Sequence, residues 1–506
     1  MTQTAEPPRA VRLSDLLAVL PSIRIRPAAD PAITSLTNDS RAVGPGALFV
    51  AVRGTRADGH TFIPQAVAQG AAAVVCQEAP AAAPECPIVI VQDARLALSA
   101  LADRFHGCPT DTLTVTGITG TDGKTSTTEI LRAILNTAGR PAGSVGTLGY
   151  CIGGRWTDSD LTTPDPIALH AAFARMAAAG MTHACMEVSS HSLIQHRVAH
   201  VDFRVAVLTN ITRDHLDTHG TRADYARAKR ILFEMLAPGA VAVLPAGGEF
   251  TEDFRASTAA EVLTYGMDGL ADVTGRIVSL DMRGMELDVR TPFGACRVCT
   301  QLVGSFNCLN ILAAAAAAFA HGIDGEAVRE ALAGFPGVPG RLERIHVPGR
   351  ADLPAVCVDY AHTPAALQKV LGVLRPLVGG RLVCLIGCGG DRDTTKRPIM
   401  GDTAASMADV AVFTADNSRS ERTEDIIAQM AAGVQRRDAE VHVEPDRRRA
   451  IRLAISLAGT PASMVALCGR GCERYQKMAG LNIPFDDREV ARDIMQSMPV
   501  RRRLSA

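Results

Sequence analysis

The 506-residue chain has 52 Lys and Arg against 53 Asp and Glu, a net charge of −1 with neutral histidines. This balance provides no attraction to nucleic acid or to an anionic membrane, and an aromatic content of 4% argues against base stacking. The first twelve residues lack the apolar core of a signal peptide, and no apolar run is long enough to span a bilayer. We therefore expect a cytoplasmic protein with no nucleic-acid partner and no membrane insertion.

Short apolar runs that end in Gly, Asp, Asn or Ser alternate with Ala-rich amphipathic segments, which is typical of α/β folds. Two stretches that contain proline, residues 108–111 and 335–340, read as hinges. A chain of this length also exceeds what a single core supports. The sequence therefore predicts an α/β protein of three domains, at residues 1–109, 110–338 and 339–506.

The apolar runs predict strands that are separated by helices. The predicted strands are 47–52, 71–76, 113–116, 184–187, 204–208, 241–244, 355–359, 382–386, 410–414 and 464–467, and the clearest predicted helices are 62–69, 127–138 and 309–320. Polar residues follow many of these strands. Since ligands of open parallel sheets gather at the carboxyl ends of strands, these residues predict the binding sites.

The most informative segment is residues 119–126, Thr-Gly-Thr-Asp-Gly-Lys-Thr-Ser, between a predicted strand and a predicted helix. Glycines in such a turn let main-chain amides surround a phosphate at the start of the helix. Lys124 would meet the outer phosphates, and the Thr125 hydroxyl would bind Mg²⁺. The usual pattern has a glycine where this chain has Ile118, with Gly117 one place earlier. The segment predicts a nucleoside triphosphate and Mg²⁺ as cofactors.

A magnesium ion needs hard oxygen ligands. Glu187, at the end of a predicted strand, is the favoured candidate, although such a residue alone is more often a cap or an ion-pair partner. His215 and Lys229 remain ambiguous from their residue types, because a lone histidine is usually structural and a helical lysine is usually solvated.

The loop at 120–125, the segment 213–217 and the segment 225–233 together resemble motifs of the ATP-dependent Mur ligases of peptidoglycan synthesis. The resemblance implies an N-terminal UDP-binding α/β domain, a central P-loop ATPase domain with a parallel sheet, and a C-terminal Rossmann-like domain. It implies that Lys124, Lys229 and His215 are catalytic. It also implies that Lys229 is carbamylated and forms a metal site with Thr125, Glu187 and His215. Asp122 departs from the asparagine of the family loop.

The resemblance continues at residues 304–310, 340–343 and 359–364, which are similar to the adenine- and ribose-binding elements of the family. The implied ATP-binding residues are Gly120, Thr121, Asp122, Gly123, Lys124, Thr125, Ser126, Asn307, Asn310, Arg341, Asp359 and His362. Singly, each has an ordinary structural role, but their order along one chain favours the nucleotide site.

Within the family, the chain resembles members that extend UDP-N-acetylmuramoyl-L-alanyl-D-glutamate. The residues implied to hold this acceptor are Ser40, Thr162, Thr163, Ser189 and Arg197. Those implied to bind meso-2,6-diaminopimelate are Arg392, Asp416, Asn417, Arg419, Gly469 and Glu473. Diaminopimelate carries a second carboxylate that lysine lacks, and an arginine fork suits it. Ser418, Arg470 and Cys472 depart from the Pro, Lys and His of the family motifs.

The resemblance implies an ATP-dependent ligase that joins meso-diaminopimelate to the D-glutamate of this acceptor through an acyl phosphate, acting as a monomer on small molecules. The alternatives are the same reaction with L-lysine, another Mur or folylpolyglutamate-type ligase, and a non-catalytic P-loop scaffold.

Overall fold

The computed structural model describes residues 10–25, 29–54, 57–80, 85–212, 216–267, 269–292, 294–436 and 440–499. These residues form two compact units. The first unit contains the described chain up to residue 274 together with 291–292 and 310–328, and the second contains 275–290, 294–309 and the chain from 329 onward. Within the described residues, no helix is both long and apolar enough to cross a membrane.

The chain up to residue 108 contributes short strands and helices, which are β1 (Val11–Arg12), α1 (Leu13–Leu17), β2 (Ile23–Ile25), β3 (Ala32–Ile33), β4 (Ser35–Thr37), β5 (Ala47–Val50), α2 (Ile63–Ala68), β6 (Ala73–Cys76), β7 (Ile88–Val91) and α3 (Ala94–Phe105). Strands β4, β5, β6 and β7 run parallel, and β2 joins β7 in the antiparallel sense. Asp93 begins α3 by accepting main-chain hydrogen bonds from its first turn.

The central part of the chain contains β8 (Thr114–Thr119), α4 (Lys124–Thr137), β9 (Ala142–Gly146), β10 (Gly149–Ile152), β11 (Arg155–Thr157), α5 (Pro166–Ala178), β12 (His183–Glu187), α6 (Ser190–Ile194), β13 (Phe203–Leu208), α7 (Leu216–His219), α8 (Arg222–Glu234), β14 (Val241–Pro245), α9 (Thr251–Ser257) and β15 (Glu261–Gly266). In the first unit the neighbours run β9-β12-β8-β13-β14-β15, all parallel. The ends of β8, β12 and β13 therefore share one edge of the sheet.

Three strands and two helices follow, and they are β16 (Val273–Asp281), β17 (Gly284–Thr291), β18 (Gly294–Thr300), α10 (Phe306–Ala320) and α11 (Gly325–Gly334). The alanines at 313–318 in α10 are buried, as the sequence predicts. Helix α3 packs along α5, and the His200 amide donates to the Ser99 hydroxyl at 3.2 Å. These contacts bring residues of the first two predicted domains into one compact unit.

The rest of the second unit contains β19 (Glu343–Ile345), β20 (Ala355–Asp359), α12 (Pro364–Leu374), β21 (Leu382–Ile386), α13 (Lys396–Met407), β22 (Val410–Phe413), α14 (Thr423–Ala432), β23 (Glu440–Val443), α15 (Arg447–Ala458), β24 (Met464–Cys468), β25 (Tyr475–Met478), β26 (Leu481–Pro484) and α16 (Asp487–Ser497). Strands β20, β24, β21, β22 and β23 are parallel neighbours in this order, and β19 pairs with β20 in the antiparallel sense. The loops that carry the predicted amino-acid site follow β21, β22 and β24.

The predicted strands are present with ends shifted by a few residues, and the predicted α/β class is confirmed. Helix α4 begins at Lys124 rather than at residue 127, because Gly123 adopts the left-handed conformation that allows the turn immediately before the helix. The antiparallel pairs β10–β11 and β25–β26 and the strands β16, β17 and β18 are additional to the prediction.

Candidate functional site

The loop between β8 and α4 is shaped by two glycines. Gly120 and Gly123 have φ angles of +144° and +85°. A Cβ on Gly120 would lie 1.8 Å from the Thr209 hydroxyl, and a Cβ on Gly123 would lie 2.3 Å from Asn310 Oδ1. Neither position accepts a side chain, so main-chain amides can face an anion at the start of α4. Gly117 lies inside β8, where a Cβ would touch the Phe203 ring, and it is a packing residue.

The segment after β13 ties this loop to the sheet. The Thr209 hydroxyl and the Asn210 side-chain amide both donate to the Asp122 carbonyl, at 2.6 and 3.1 Å. The Asp122 amide donates to Asn210 Oδ1 at 3.1 Å, and the Thr212 amide donates to the Thr121 hydroxyl at 2.9 Å. These main-chain bonds fix the loop whether residue 122 is aspartate or asparagine. Ser126 lies buried in the first turn of α4.

Two lysine ammonium groups reach one carbonyl of the loop. Lys124 Nζ donates to the oxygens of Gly120 and Thr121 at 3.0 and 2.8 Å. Lys229 Nζ, from α8, donates to the same Gly120 oxygen at 2.8 Å and lies 4.4 Å from the centre of the Tyr225 ring. The Lys229 side chain is 1% exposed. The two ammonium groups therefore converge on the Gly120 carbonyl.

Glu187 ends β12 next to the loop and is 1% exposed. Its Oε2 accepts the hydroxyls of Thr125 and Thr147 at 3.0 and 3.1 Å, and its Oε1 accepts the Thr147 amide at 2.7 Å. A buried carboxylate beside the threonine hydroxyl of a phosphate loop suits Mg²⁺, which prefers such oxygens. His215, a further predicted ligand, lies outside the described residues.

Four of the five predicted acceptor-binding residues are linked to Glu187 by hydrogen bonds, either directly or through one other residue. The Thr163 hydroxyl donates to the Glu187 carbonyl at 2.9 Å and accepts the Ser189 amide at 3.0 Å. Arg197 Nη1 donates to the Thr163 carbonyl at 2.8 Å. The hydroxyls of Thr162 and Thr147 lie 3.2 Å apart, which links Thr162 to the same carboxylate.

Ser40, the fifth acceptor residue, lies in a 3₁₀ helix after β4, where its hydroxyl donates to Gln65 Oε1 at 3.3 Å. Nearby in the first unit, residues 34–38 line a cavity of about 390 Å³ together with Phe105, His106 and the start of α5. Among the described residues, Ser40 forms no hydrogen bond with the other four acceptor residues.

The remaining predicted nucleotide residues are mainly held by nearby main chain. Asn310 lies against Gly123 in the first unit. In the second unit, Asn307 Nδ2 donates to the Val303 carbonyl at 2.8 Å. His362 Nδ1 is 2.9 Å from the Tyr360 carbonyl.

Asp359 ends β20, and its carboxylate accepts the amides of Leu342 and Ala361, both at 2.8 Å. Burial raises the pKa of Asp359, and nearby Arg341 opposes that rise. The Arg341 guanidinium also lies 5.0 Å from the centre of the Tyr360 ring. Asp359 therefore stabilises the turn that carries Arg341.

The predicted amino-acid site lies at the ends of β22 and β24. Gly469 has a φ of +107°, and a Cβ there would be 2.9 Å from Asp416 Oδ2. Asn417 Nδ2 donates to Glu473 Oε2 at 2.7 Å. Partial burial and the Asp416 carboxylate raise the pKa of Glu473. These four residues therefore form one cluster.

The two predicted arginines flank the loop after β21. Arg419 has a φ of +51°, and its Nη1 donates to the Gly390 carbonyl at 2.7 Å. Arg392 is exposed two residues further along that loop, with Nη1 3.3 Å from the Asp391 carbonyl. Both guanidinium groups thus contact the main chain of one loop.

The departures from the family motifs each have a defined environment. The Ser418 hydroxyl lies 2.6 Å from the Thr423 hydroxyl at the start of α14, which fixes the turn that proline would stiffen. Cys472 is half-buried, and burial raises the pKa of its thiol. Arg470 is fully buried.

The hairpin β25–β26 is an unpredicted part of this site. Its register pairs Tyr475 with Pro484 and Met478 with Leu481. Ala479 and Gly480 form the two-residue turn, with φ angles of +48° and +78°. Gly480 suits the second position of such a turn, but Ala479 is not a residue that favours a positive φ and Tyr475–Met478 does not alternate apolar with polar residues, so the sequence carried only part of the usual hairpin signal.

Three family models match the chain in order. Residues 32–106 match the model described as Mur ligase family, catalytic domain. Residues 118–318 match the Mur ligase middle domain, and residues 340–471 match the Mur ligase, glutamate ligase domain.

A UDP-N-acetylmuramoyl-L-alanyl-D-glutamate–2,6-diaminopimelate ligase of Geobacillus thermodenitrificans is 42% identical over 488 residues, which cover 95% of this chain and 99% of that protein. A solved structure of a ligase with the same title has 30% identity and a TM-score of 0.71, and the match covers 97% of this chain and 99% of that one. A Mycobacterium tuberculosis folylpolyglutamate synthase, solved with ADP and AMPPCP, has 22% identity and a TM-score of 0.58 over 74% of this chain and 92% of its own.

Proposed function

Because this chain belongs to the Mur ligase family, we propose that it is an ATP-dependent ligase that joins meso-2,6-diaminopimelate to the D-glutamate of UDP-N-acetylmuramoyl-L-alanyl-D-glutamate in peptidoglycan synthesis. One observation carries the choice of amino acid. Asn417 holds the Glu473 carboxylate, and Arg419 follows two residues later. An anion and a cation on two loops that Asn417 links match the ammonium and carboxylate at the distal end of diaminopimelate.

The reaction begins when the γ-carboxylate of the D-glutamyl residue attacks the γ-phosphorus of ATP. ADP leaves, and an acyl phosphate forms. The amine of diaminopimelate then attacks the acyl carbon, loses a proton and expels inorganic phosphate. The loop amides and Lys124 stabilise the charge that develops on the transferring phosphoryl group.

Thr125 and Glu187 would hold Mg²⁺, together with His215 and carbamylated Lys229. The ion would neutralise phosphate charge. The hydrogen bond between Thr125 and Glu187 supports this set, because both oxygens already lie beside the phosphate loop. Carbamylation of Lys229 would replace one of two convergent cations with a carboxylate and so remove their repulsion.

We assign the remaining roles by unit. The first unit binds the phosphates of ATP at residues 120–126 and the acceptor at Ser40, Thr162, Thr163, Ser189 and Arg197. In the second unit, Arg341, Asp359 and His362 serve the nucleotide, and the residues around Asp416 bind diaminopimelate. The ADP and AMPPCP bound to the folylpolyglutamate synthase support a nucleotide site in this fold. We also propose a cytoplasmic monomer with domain boundaries at residues 109 and 338.

Release of inorganic phosphate tests the proposal. The protein is mixed with ATP, Mg²⁺ and UDP-N-acetylmuramoyl-L-alanyl-D-glutamate, and diaminopimelate, L-lysine or neither is added. We expect release only with diaminopimelate. Release with lysine would retain the ligase chemistry and contradict the assignment of Arg419. If no phosphate is released in any of the three mixtures, the proposed reaction is contradicted, and a different acceptor or a non-catalytic scaffold is favoured.

A further inference from the structure

A buried guanidinium lies behind the residues that we assign to the amino acid. The Arg470 side chain is 0% exposed. Its Nη1 donates to Asn417 Oδ1 at 3.1 Å, and its Nη2 donates to the main-chain oxygens of Tyr475 and Phe485, both at 3.0 Å. Tyr475 begins the hairpin β25–β26 and Phe485 follows it, so one side chain joins both legs of the hairpin to Asn417.

The side chain of Asn417 is oriented completely by this arrangement. Its Oδ1 accepts Arg470 Nη1 and also the Lys477 amide, at 3.1 and 2.8 Å. Its Nδ2 donates to Glu473 Oε2 at 2.7 Å. Reversal of the amide would place a donor against two donors, so the contact with Glu473 depends on what Oδ1 accepts.

The far end of the same hairpin fixes Arg419. The Arg419 amide donates to the Lys477 carbonyl at 2.9 Å, and the Ala479 amide donates to the Arg419 carbonyl at 2.7 Å. These two bonds hold Arg419 in a left-handed conformation that residues with a Cβ rarely adopt. If the hairpin moves, the backbone of Arg419 moves with it.

We propose that Arg470 is a positioning residue that holds Glu473 and Arg419 in the arrangement that recognises the distal ammonium and carboxylate of the amino acid. The inference rests on the proposed function, and it adds a determinant of amino-acid recognition that does not itself contact the substrate. A planar fork suits the role, because it bonds Asn417 and both hairpin legs at once. The single ammonium of the lysine that the family motif carries at this position does not reproduce that fork, so this set of bonds belongs to the arginine of this chain.

The test compares Arg470→Lys, which keeps the charge, with Arg470→Met, which removes it. We expect the KM for diaminopimelate to rise about tenfold in Arg470→Lys and further in Arg470→Met. The KM for ATP and for the UDP-linked acceptor should stay within about twofold, because Arg470 contacts none of the residues assigned to them among those the structure describes. Amides 477 and 479 should exchange hydrogen faster in both variants.

Arg350→Lys is the matched control. Arg350 is also nearly buried in the second unit, and it donates to the carbonyls of Met495 and Met498, away from the amino-acid site. We expect its KM for diaminopimelate to equal that of the parent.

The outcomes separate this inference from the proposed function. A lower kcat with an unchanged KM for diaminopimelate in both Arg470 variants would overturn the positioning role while the ligase assignment stands. If the parent releases no phosphate with diaminopimelate, the proposed function fails. In that case, hydrogen exchange alone still tests Arg470. If the amides of residues 477 and 479 remain protected from exchange in Arg470→Met, the positioning role is overturned as well, and if they lose protection, it is supported.

Discussion

In the first unit, the proposed phosphate loop is made by eight consecutive residues, 119–126, whereas the proposed amino-acid site of the second unit is assembled from residues 389–392, 416–419 and 469–485. The loop derives its shape from two glycines and from hydrogen bonds between its main chain and the side chains of Thr209 and Asn210. The amino-acid site derives its shape from side chains that meet on Asn417. A substitution in the loop should therefore act on chemistry, and a substitution in the second site should act on recognition.

Lys124→Ala should give the largest effect. We expect the rate of phosphate release to fall about 10²- to 10³-fold, because the variant loses the cation that stabilises the transferring phosphoryl group. The far-ultraviolet circular dichroism should be unchanged, since the main-chain bonds of the loop remain. Lys369→Ala, at an exposed position on α12, is the control and should behave as the parent. A Lys124→Ala protein that keeps more than a tenth of the parent rate would refute the phosphate-loop assignment.

Lys229→Ala tests whether the first unit depends on a modified side chain in addition to its loop. We expect the rate to fall about 10- to 100-fold, because the carbamate that would help to hold Mg²⁺ is lost. Added short carboxylic acids should restore part of the activity, since they return a carboxylate to the vacated space. The same acids should leave Lys124→Ala inactive.

Removal of dissolved carbon dioxide provides a second readout for Lys229. The parent should slow under these conditions and recover when bicarbonate is added. A parent rate that is indifferent to carbon dioxide, together with a Lys229→Ala protein that no acid rescues, would contradict the carbamate.

Arg419→Ala should weaken the binding of diaminopimelate rather than slow the chemical step. Loss of a charge-assisted hydrogen bond costs about 1.5–3 kcal/mol, so we expect the KM for diaminopimelate to rise about 10- to 100-fold while the KM for ATP is unchanged. The preference for diaminopimelate over lysine should fall in parallel. An equal rise in the KM for diaminopimelate and for lysine would show that Arg419 does not bind the distal carboxylate of diaminopimelate.

The contrast between the two sites also explains what the sequence predicts. The phosphate loop and the buried helix around Leu312 follow from local patterns, and both are present. The meeting of Lys124 and Lys229 on the Gly120 carbonyl does not follow from any local pattern, because it depends on how α8 packs against β8. The hairpin β25–β26 had only a weak local signal, because Ala479-Gly480 is not one of the favoured hairpin dipeptides. Its link to Arg419 arises only from tertiary structure.

Glu473 provides the smallest expected effect and the most direct measure of electrostatics in the second site. Partial burial and the Asp416 carboxylate raise the pKa of Glu473, whereas the Asn417 amide and the guanidinium groups of Arg470 and Arg447 lower it. With a raised pKa, Glu473 holds its proton to a higher pH than an ordinary glutamate does, and the protonated form cannot attract an ammonium group. We therefore expect kcat/KM for diaminopimelate to decline a few-fold as the pH falls toward this pKa, with kcat/KM for ATP unaffected.

Glu473→Gln should have a low kcat/KM for diaminopimelate that no longer changes over the same pH range. A parallel pH dependence in the parent and in Glu473→Gln would place the titrating group elsewhere and leave the second site without an electrostatic role for this carboxylate.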